Sequence, residues 1–203
     1  MKCSRRPMAA LVALAVTMIT AGALHPQETP VTVELPVLLT SCGQSPGPER
    51  VRFFLRRLEM EHEFVEEATA QTLVDKLQSG TPFKSIIIVT GASLKGMGAA
   101  GVSIHDELAR TEALIEEANR QGIPIVGAHV EGMSRRAQGA AAGDNSDELS
   151  IDAVMPHSDL MFVRQDGDED RRFTVISESQ DIPLILFEKN MEMGDVLKRV
   201  FNK

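Results

Sequence analysis

The chain has 203 residues, of which 43% are hydrophobic and 25% are charged. Its 21 basic and 29 acidic side chains give a formal net charge of −8 at pH 7. The field of the whole protein therefore opposes binding to nucleic acid or to an anionic membrane surface, and an anion could bind only in a local basic pocket.

The first 23 residues have the pattern of a secretory signal peptide. Lys2, Arg5 and Arg6 precede an apolar run that begins at Met8, and the small residues 21–23 supply a cleavage site after Ala23. This pattern predicts export to the periplasm or the outside of the cell. An uncleaved leader would be the chain's only route to membrane association, and the sequence leaves open whether export is Sec-type or twin-arginine.

Cleavage would remove Cys3 and leave Cys42 as the single cysteine, so no internal disulfide could form. Cys42 is then a buried small apolar residue, a reactive thiol, or half of an intermolecular bridge. Residues 24–32 form a polar, proline-containing linker, and residues 33–203 have a length typical of a single domain.

Short apolar runs alternate with amphipathic segments along this domain. The runs predict strands, and the ranges are 33–40, a weaker one at 62–68, then 86–90, 123–129, 160–164 and 182–188. Helical spacing of apolar residues separates them, and the alanine-rich patch 138–144 is expected to be a mobile loop before a helix. The alternation predicts an α/β three-layer sandwich with a mostly parallel, doubly wound sheet of about six strands, either Rossmann-like or flavodoxin-like.

Ligands of such sheets bind beyond the carboxyl ends of the strands, near the point where the strand order reverses. The loops after the first, third and fourth strands (40–48, 91–103 and 129–136) should share that rim. The polar and glycine residues of these loops are the candidate ligand-binding residues: Gln44, Ser45, Ser93, Lys95, Gly96, Gly98, Gly101, His129, Arg135 and Arg136.

Several of these residues also have ordinary structural explanations. Ser45 is well placed to cap a helix, and a histidine that ends a strand, such as His129, is often hydrogen-bonded in place. The two arginines could be neutralised by nearby acidic residues, namely Asp144, Asp147 and Glu148.

The glycine-rich segment imitates two nucleotide-binding motifs. Residues 96–101 match the dinucleotide fingerprint G-x-G-x-x-G, but they follow the third predicted strand rather than the first, and the chain has no tyrosine for dehydrogenase chemistry. A P-loop needs Gly-Lys-Ser/Thr, whereas here Lys95 precedes Gly96. What remains is a loop whose backbone N–H groups, together with Lys95, could face a carboxylate or phosphate without any cofactor.

Other chemistry has less support in the sequence. The five histidines lack metal-ligand spacing, and the acidic run 166–170 lacks the later positions of a calcium loop, so it is expected to be a solvated loop. A nucleophile among Cys42, Ser45 and Ser93 could work with His129, although no Gly-x-Ser-x-Gly motif is present.

Residues 40–45, 93–101 and 129–132, followed by Arg135 and Arg136, resemble a family of exported bacterial α/β proteins known only as a domain of unknown function. The resemblance covers nearly the whole chain after the leader. It implies the fold and export but no activity.

The sequence therefore predicts an exported binding protein for a small anionic metabolite. One alternative is a hydrolase or transferase that uses Cys42, Ser45 or Ser93 with His129. The other is an interaction module with a protein partner in the cell envelope.

Overall fold

Six parallel strands form the centre of the molecule, and their order across the sheet is β2-β1-β3-β4-β5-β6. The computed structural model describes residues 33–137 and 145–203, so the predicted leader, linker and 138–144 patch lie outside the described residues. The strands are β1 (Val37–Cys42), β2 (His62–Phe64), β3 (Ser85–Thr90), β4 (Ile125–His129), β5 (Leu160–Arg164) and β6 (Leu184–Phe187).

Helices cover both faces of this sheet. They are α1 (Gly47–Arg57), α2 (Ala70–Gln78), α3 (Leu94–Ala100), α4 (Ile104–Gln121), α5 (Ser146–Val154), α6 (Arg172–Gln180) and α7 (Met193–Val200). Short 3-10 helices at 132–135, 155–157, 165–168 and 190–192 connect some of them. The predicted α/β three-layer architecture with six parallel strands is confirmed, and residues 33–137 and 145–203 belong to one compact unit.

Alternate residues of the central strands face opposite helical layers, as the period of two in a strand requires. On one face Leu39 and Ile87 pack with the apolar sides of α1 and α7, and on the other Leu38 and Ile88 pack with α2 and α4. Every residue of β1 and β3 is buried, which explains why these strands appear in the sequence as continuous apolar runs.

The boundaries of the first two strands differ from the predicted ones. β1 begins at Val37 rather than Val33, because Pro36 has no backbone N–H to donate to the ladder. It continues to Cys42, so residues 40–42 belong to the strand and not to the following loop. β2 lies at the sheet edge and ends at Phe64, four residues earlier than expected.

The glycine-rich segment after β3 is largely helical, whereas the sequence predicted a loop over 91–103. Ser93 caps α3 by accepting a hydrogen bond from the backbone nitrogen of Gly96 at 3.0 Å. The helix ends at Gly101, which has a φ of 75° that glycine adopts without steric cost. The cap and the terminal glycine outweigh the low helix propensity of Gly96 and Gly98.

The acidic run 166–170 is also structured rather than simply solvated, which corrects the prediction. It contains a 3-10 helix, and Asp168 accepts hydrogen bonds from the backbone nitrogens of Phe173 and Thr174 at 2.7 and 3.2 Å. Asp168 therefore fixes the start of α6. Within the described ranges, no helix is both long enough and apolar enough to cross a membrane.

Candidate functional site

The strand order reverses between β1 and β3. Sheets of this kind bind ligands near such a reversal, so the candidate site lies there. The chain leaves β1 toward β2 on one side, then returns past β1 to β3 and continues to β4 on the other side. The loops after β1, β3 and β4 touch at the carboxyl edge: the Ser93 nitrogen donates to the Gly43 carbonyl at 2.7 Å, and Arg135 Nη1 donates to the Ala92 carbonyl at 2.7 Å. The three loops therefore share one rim, as predicted.

The loop after β1 is held by a buried carboxylate. Gly43 and Gln44 both have positive φ, and a Cβ at Gly43 would lie 2.6 Å from the Gly91 carbonyl oxygen, so only glycine fits there. The Oε2 atom of Glu107 accepts hydrogen bonds from the Gly43 nitrogen at 2.8 Å and from Gln44 Nε2 at 3.0 Å. The Gly43 N–H and the Gln44 side-chain amide are thus both hydrogen-bonded within the protein.

Arg110 neutralises Glu107 and extends the same network. Its guanidinium lies 2.9 Å from the Glu107 carboxylate and donates to the backbone carbonyls of Ser41 and Ala68 at 2.7 and 2.6 Å. Neither residue was predicted from the sequence. Glu107 is an acidic residue in the first turn of a helix, where helix-dipole stabilisation is a sufficient explanation.

The backbone N–H groups after β3 are also bound within the protein. The Gly91 nitrogen donates to Ser150 Oγ at 3.0 Å, and the Ala92 nitrogen donates to Asp147 Oδ1 at 2.6 Å. Both acceptors lie on α5, which covers the loop. These N–H groups, expected from the sequence to face an anionic ligand, instead bind side chains of the chain itself.

The glycines of α3 serve different purposes. A Cβ at Gly96 would overlap the carbonyl oxygen of Gln44, so Gly96 permits close packing of α3 on the loop after β1. A Cβ at Gly98 or Gly101 would meet no atom within 4 Å. Lys95 is exposed on this helix and makes no ion pair with any residue in 33–137 or 145–203.

The two candidate serines act at helix starts. Ser45 Oγ accepts a hydrogen bond from the Gly47 nitrogen at 3.2 Å, at the beginning of α1, and Ser93 caps α3. Ser45 is almost fully buried. The N-cap of α1 is Pro46 and this helix has no side-chain cap, so the capping role expected for Ser45 is wrong; its bond to Gly47 closes a turn just before the helix.

Cys42 lies below the rim, in the core between the sheet and α4. Its side chain is fully buried, and burial raises the pKa of the thiol to about 11. Because the thiolate is the reactive form, this cysteine has the properties of an inert small apolar residue.

His129 is a buried structural histidine. Its Nε2 donates to the Gly132 carbonyl at 3.0 Å, its Nδ1 lies 3.1 Å from Thr90 Oγ1, and its ring packs on Phe173 with centroids 4.9 Å apart. Burial lowers its pKa to about 4. With both ring nitrogens bonded within the protein, His129 does not form a dyad with Cys42, Ser45 or Ser93 in this structure.

Arg136 is buried and forms ion pairs within the protein. It is only 2% exposed, its guanidinium lies 2.7 Å from both Glu148 and Asp170, and it stacks on the Phe173 ring. These carboxylates raise the pKa of Arg136 despite its burial, and Arg136 in turn lowers the pKa of Asp170. Of the predicted neutralising acids, Glu148 pairs with Arg136, Asp147 binds Ala92, and Asp144 lies outside the described residues.

Arg135 has a different environment, because it reaches the surface of the rim. Its side chain is 24% exposed, and its Cγ would lie 3.2 Å from a Cβ placed on Gly91. Its Nε lies 3.5 Å from Oε2 of Glu131, whose other oxygen lies 3.6 Å from Nη2 of Arg50. Glu131 is only 3% exposed, whereas Arg50 is 40% exposed. We call these three residues the Arg50–Glu131–Arg135 cluster.

The sequence missed two members of this cluster. Arg50 lies in α1, among other arginines of an amphipathic helix, and nothing in the spacing relates it to the fourth strand. Glu131 directly follows β4, but an acidic residue in a loop is ordinarily solvated. No group of three or more His, Cys, Asp or Glu residues within the described ranges is placed to hold a metal ion.

The model of one family, described as a domain of unknown function (DUF6305), matches residues 34–201. The chain belongs to this family. The resemblance to an uncharacterised family is thereby confirmed, and its bacterial origin stays a prediction. A search of curated proteins finds no match.

Solved structures give distant matches. A GDP-L-fucose synthetase from Naegleria fowleri bound to NADP is 8% identical with a TM-score of 0.37, over 79% of this chain and 51% of that one. This chain thus spans about half the length of that synthetase. The esterase EstA from Pseudoalteromonas sp. is 11% identical with a TM-score of 0.33, over 82% and 96% of the two chains. AlinE4, an SGNH-hydrolase family esterase, is 14% identical with a TM-score of 0.28, over 73% and 74%.

Proposed function

We propose that this protein is an exported binding protein for a small anionic metabolite, a carboxylate or phosphate, held at the carboxyl edge of the sheet. The observation that carries the proposal is the Arg50–Glu131–Arg135 cluster. Two partly exposed arginines from different elements converge there on one buried carboxylate. The position, next to the reversal of strand order, is where sheets of this kind bind ligands.

The charge of the cluster favours one additional negative group. Two guanidinium groups face a single carboxylate, so the cluster carries an excess positive charge in an otherwise acidic protein. A guanidinium has five N–H donors in a planar fork that matches carboxylate and phosphate oxygens. Arg135 donates one Nη group to the Ala92 carbonyl, and its exposed part remains available to a ligand.

The hydrogen bonding of the cluster is incomplete. Oε2 of Glu131 and Nε of Arg135 are both buried, and neither has a hydrogen-bond partner among residues 33–137 and 145–203, because the 3.5 Å between them is longer than a good hydrogen bond. Such groups are usually satisfied in a native protein. A ligand anion that drew Arg135 outward, or that bound it in its present position, would act directly on the contact between Arg135 Nε and Glu131 Oε2.

Among the residues that sequence analysis suggested, Arg135 therefore becomes the principal ligand contact of the proposal, and Arg50 is added. Lys95 is retained as an exposed cation near the same set of loops. Gln44, Ser45, Ser93, Gly96, His129 and Arg136 shape the rim through their contacts within the protein. Export rests on the basic and apolar pattern of residues 1–23.

The test is a thermal-shift and calorimetric screen with inorganic phosphate and with short mono- and dicarboxylates. We expect at least one anion to raise the melting temperature of the wild type, and Arg135→Gln and Arg50→Gln to remove most of that rise. Arg56→Gln is the matched control, because it removes an exposed arginine from the same helix as Arg50 without touching the cluster.

Lys95→Ala separates two positions for the anion. Binding that survives Lys95→Ala and is lost in Arg135→Gln supports the cluster. The opposite result would move the anion to α3 and overturn the assignment to the cluster. If no anion stabilises the wild type more than the Arg135→Gln and Lys95→Ala variants, the function itself is refuted.

A further inference from the structure

An aromatic ring lies exposed among arginines on α1. Phe53 is 56% exposed, and Arg52, Arg56 and Arg57 surround it along the helix. Arg52 is partly engaged, since it pairs with Glu49 at 3.1 Å and lies over the Phe64 ring. Arg56 and Arg57 are exposed and make no ion pair with any other described residue. We call Arg52, Phe53, Arg56 and Arg57 the α1 surface.

A groove of about 440 Å³ with the opposite charge runs between α4 and α5. Its apolar floor includes Leu108, Ile115 and Leu149, and Glu112 and Glu116 stand at its margin. These two carboxylates lie one helical turn apart on the same side of α4. We call this feature the α4–α5 groove.

The glutamates at the margin of the groove carry charges that no described cation neutralises. Glu112 and Glu116 are exposed, and neither pairs with a cation anywhere in residues 33–137 or 145–203. Asp152, also at the groove, is already paired with Arg172 and adds little to it. The groove therefore presents two unpaired negative charges beside an apolar floor, and the α1 surface presents unpaired positive charges beside an exposed ring.

The two surfaces lie on opposite faces of the sheet. Phe54 and Leu55 anchor α1 on the Leu39 face, whereas Leu114 and Ala118 anchor α4 on the Leu38 face. One molecule cannot bring its own two surfaces together. A second copy can, and the contact would then join unlike surfaces.

We infer that the α1 surface of one copy docks into the α4–α5 groove of another copy. Phe53 enters the groove against its apolar floor, and Arg56 and Arg57 pair with Glu112 and Glu116. Aromatic and arginine side chains are the residue types enriched at protein interfaces. Because the contact joins unlike surfaces, an open assembly keeps a free α1 surface at one end and a free α4–α5 groove at the other. Association therefore proceeds to an open chain or a ring rather than stopping at a two-fold dimer.

Sedimentation velocity over a wide range of protein concentration tests this assembly. For the wild type we expect a weight-average sedimentation coefficient that rises with concentration and falls again as salt screens the ion pairs. The double variant Arg56→Glu/Arg57→Glu and the double variant Glu112→Lys/Glu116→Lys should each lose the rise. All four positions are exposed, so both variants should keep the fold, which circular dichroism checks.

Mixing the two charge-reversed double variants is the decisive experiment. The basic α1 surface of one variant then complements the acidic groove of the other, and the acidic α1 surface complements the basic groove, so the mixture should regain the rise that each variant lacks alone. Arg171→Glu, an exposed charge reversal at the residue that precedes α6, is the control and should behave as the wild type. A wild type that stays monomeric at every concentration, an association that survives either reversal, or a mixture that stays monomeric would each overturn the inference.

Discussion

The carboxylate of Glu107 lies 2.8 Å from the backbone nitrogen of Gly43, at the turn where an anion-binding loop would present that nitrogen to its ligand. Asp147 holds the Ala92 nitrogen after β3 in the same way, at 2.6 Å. Two side chains of the protein thus occupy the positions that phosphate or carboxylate oxygens take in loops of this kind. The backbone N–H groups of these two loops are therefore satisfied by internal carboxylates, and the partly exposed arginines of the rim come from α1 (Arg50) and from the loop after β4 (Arg135).

Removing the Glu107 carboxylate should destabilise the fold strongly. In Glu107→Ala the Gly43 N–H loses its acceptor and the mostly buried Arg110 loses its counter-charge. We expect a loss of about 3–5 kcal/mol in the free energy of unfolding, the usual cost of leaving one partner of a buried ion pair unpaired. Urea denaturation measures it. Glu112→Ala, at an exposed position of the same helix, should change the free energy by less than about 0.5 kcal/mol, and equal effects of the two substitutions would contradict the bracing role.

Two glycines separated by a single residue of α3, Gly96 and Gly98, should respond oppositely to alanine. In Gly96→Ala the new methyl group overlaps the carbonyl oxygen of Gln44, so we expect a loss of about 1–3 kcal/mol. In Gly98→Ala the methyl group meets nothing within 4 Å and helix propensity improves, so we expect a gain of about 0.5–1 kcal/mol.

Thermal denaturation of the two glycine variants makes the comparison direct, because each is the control for the other. A gain in both variants would mean that α3 does not pack closely on the loop after β1. A loss in both would mean that Gly98 is constrained by something other than its described neighbours.

The architecture was predictable from the sequence because buried parallel strands leave a strong signal. The apolar run 86–90 and the amphipathic α4 gave β3 and its crossover correctly. Details set by capping were harder to foresee. α3 contains two glycines within seven residues, and it is favoured by the Ser93 cap, the terminal Gly101 and the buried Met97. The α6 start depends on Asp168, which in sequence is one of several acidic residues in a row.

The candidate site was predictable only in part. Sheet topology places the loops after β1, β3 and β4 at one rim, so Arg135 could be nominated from its position alone. Its neighbour Arg136 has the same chemistry in sequence, yet it points into the core toward Glu148 and Asp170. Which of two adjacent arginines faces solvent depends on long-range contacts. The same is true of Arg50, which joins the rim from another helix.

Cys42 should resist alkylation in the folded protein. Its thiol is fully buried and burial raises its pKa to about 11, so the thiolate is scarce near neutral pH and the reagent has no access. We expect labelling by iodoacetamide to proceed only through unfolding, and to become fast in denaturant. Rapid labelling of the native protein would instead support the thiol version of the hydrolase alternative.

The Arg136 ion pairs should contribute substantially to stability. Arg136→Gln leaves the Glu148 and Asp170 carboxylates without their shared cation, and we expect a loss of about 3 kcal/mol. Arg171→Gln removes an arginine from the exposed pair with Glu178, so its effect should stay within about 0.5 kcal/mol. Chemical denaturation distinguishes the two, and a small effect at position 136 would mean that the pairs are compensated by solvent.

Stability should fall as the solution is acidified from pH 6.5 to about 4.5, and His129 should account for the fall. Burial lowers its pKa from the ordinary 6.5 to about 4, so in this interval the unfolded chain binds a proton that the folded protein excludes. The free energy of unfolding therefore decreases with falling pH, by about 2 kcal/mol over the interval. The carboxylates of Asp166 and Asp170, whose pKa values are lowered by Arg164 and Arg136, and of Glu148, whose pKa Arg136 lowers despite burial, add losses that begin at about pH 5 and continue below this range.

Urea denaturation at a series of pH values measures the slope, and His129→Gln should flatten it even though the variant is less stable throughout. The imidazole signals of His129 in NMR spectra provide an independent check, because they should stay those of the neutral ring down to about pH 5. A histidine that protonates near pH 6.5 in the folded protein would show that its ring is reachable by water. It would thereby restore His129 as a candidate base, because a ring that exchanges protons with solvent is not locked between Thr90 and Gly132.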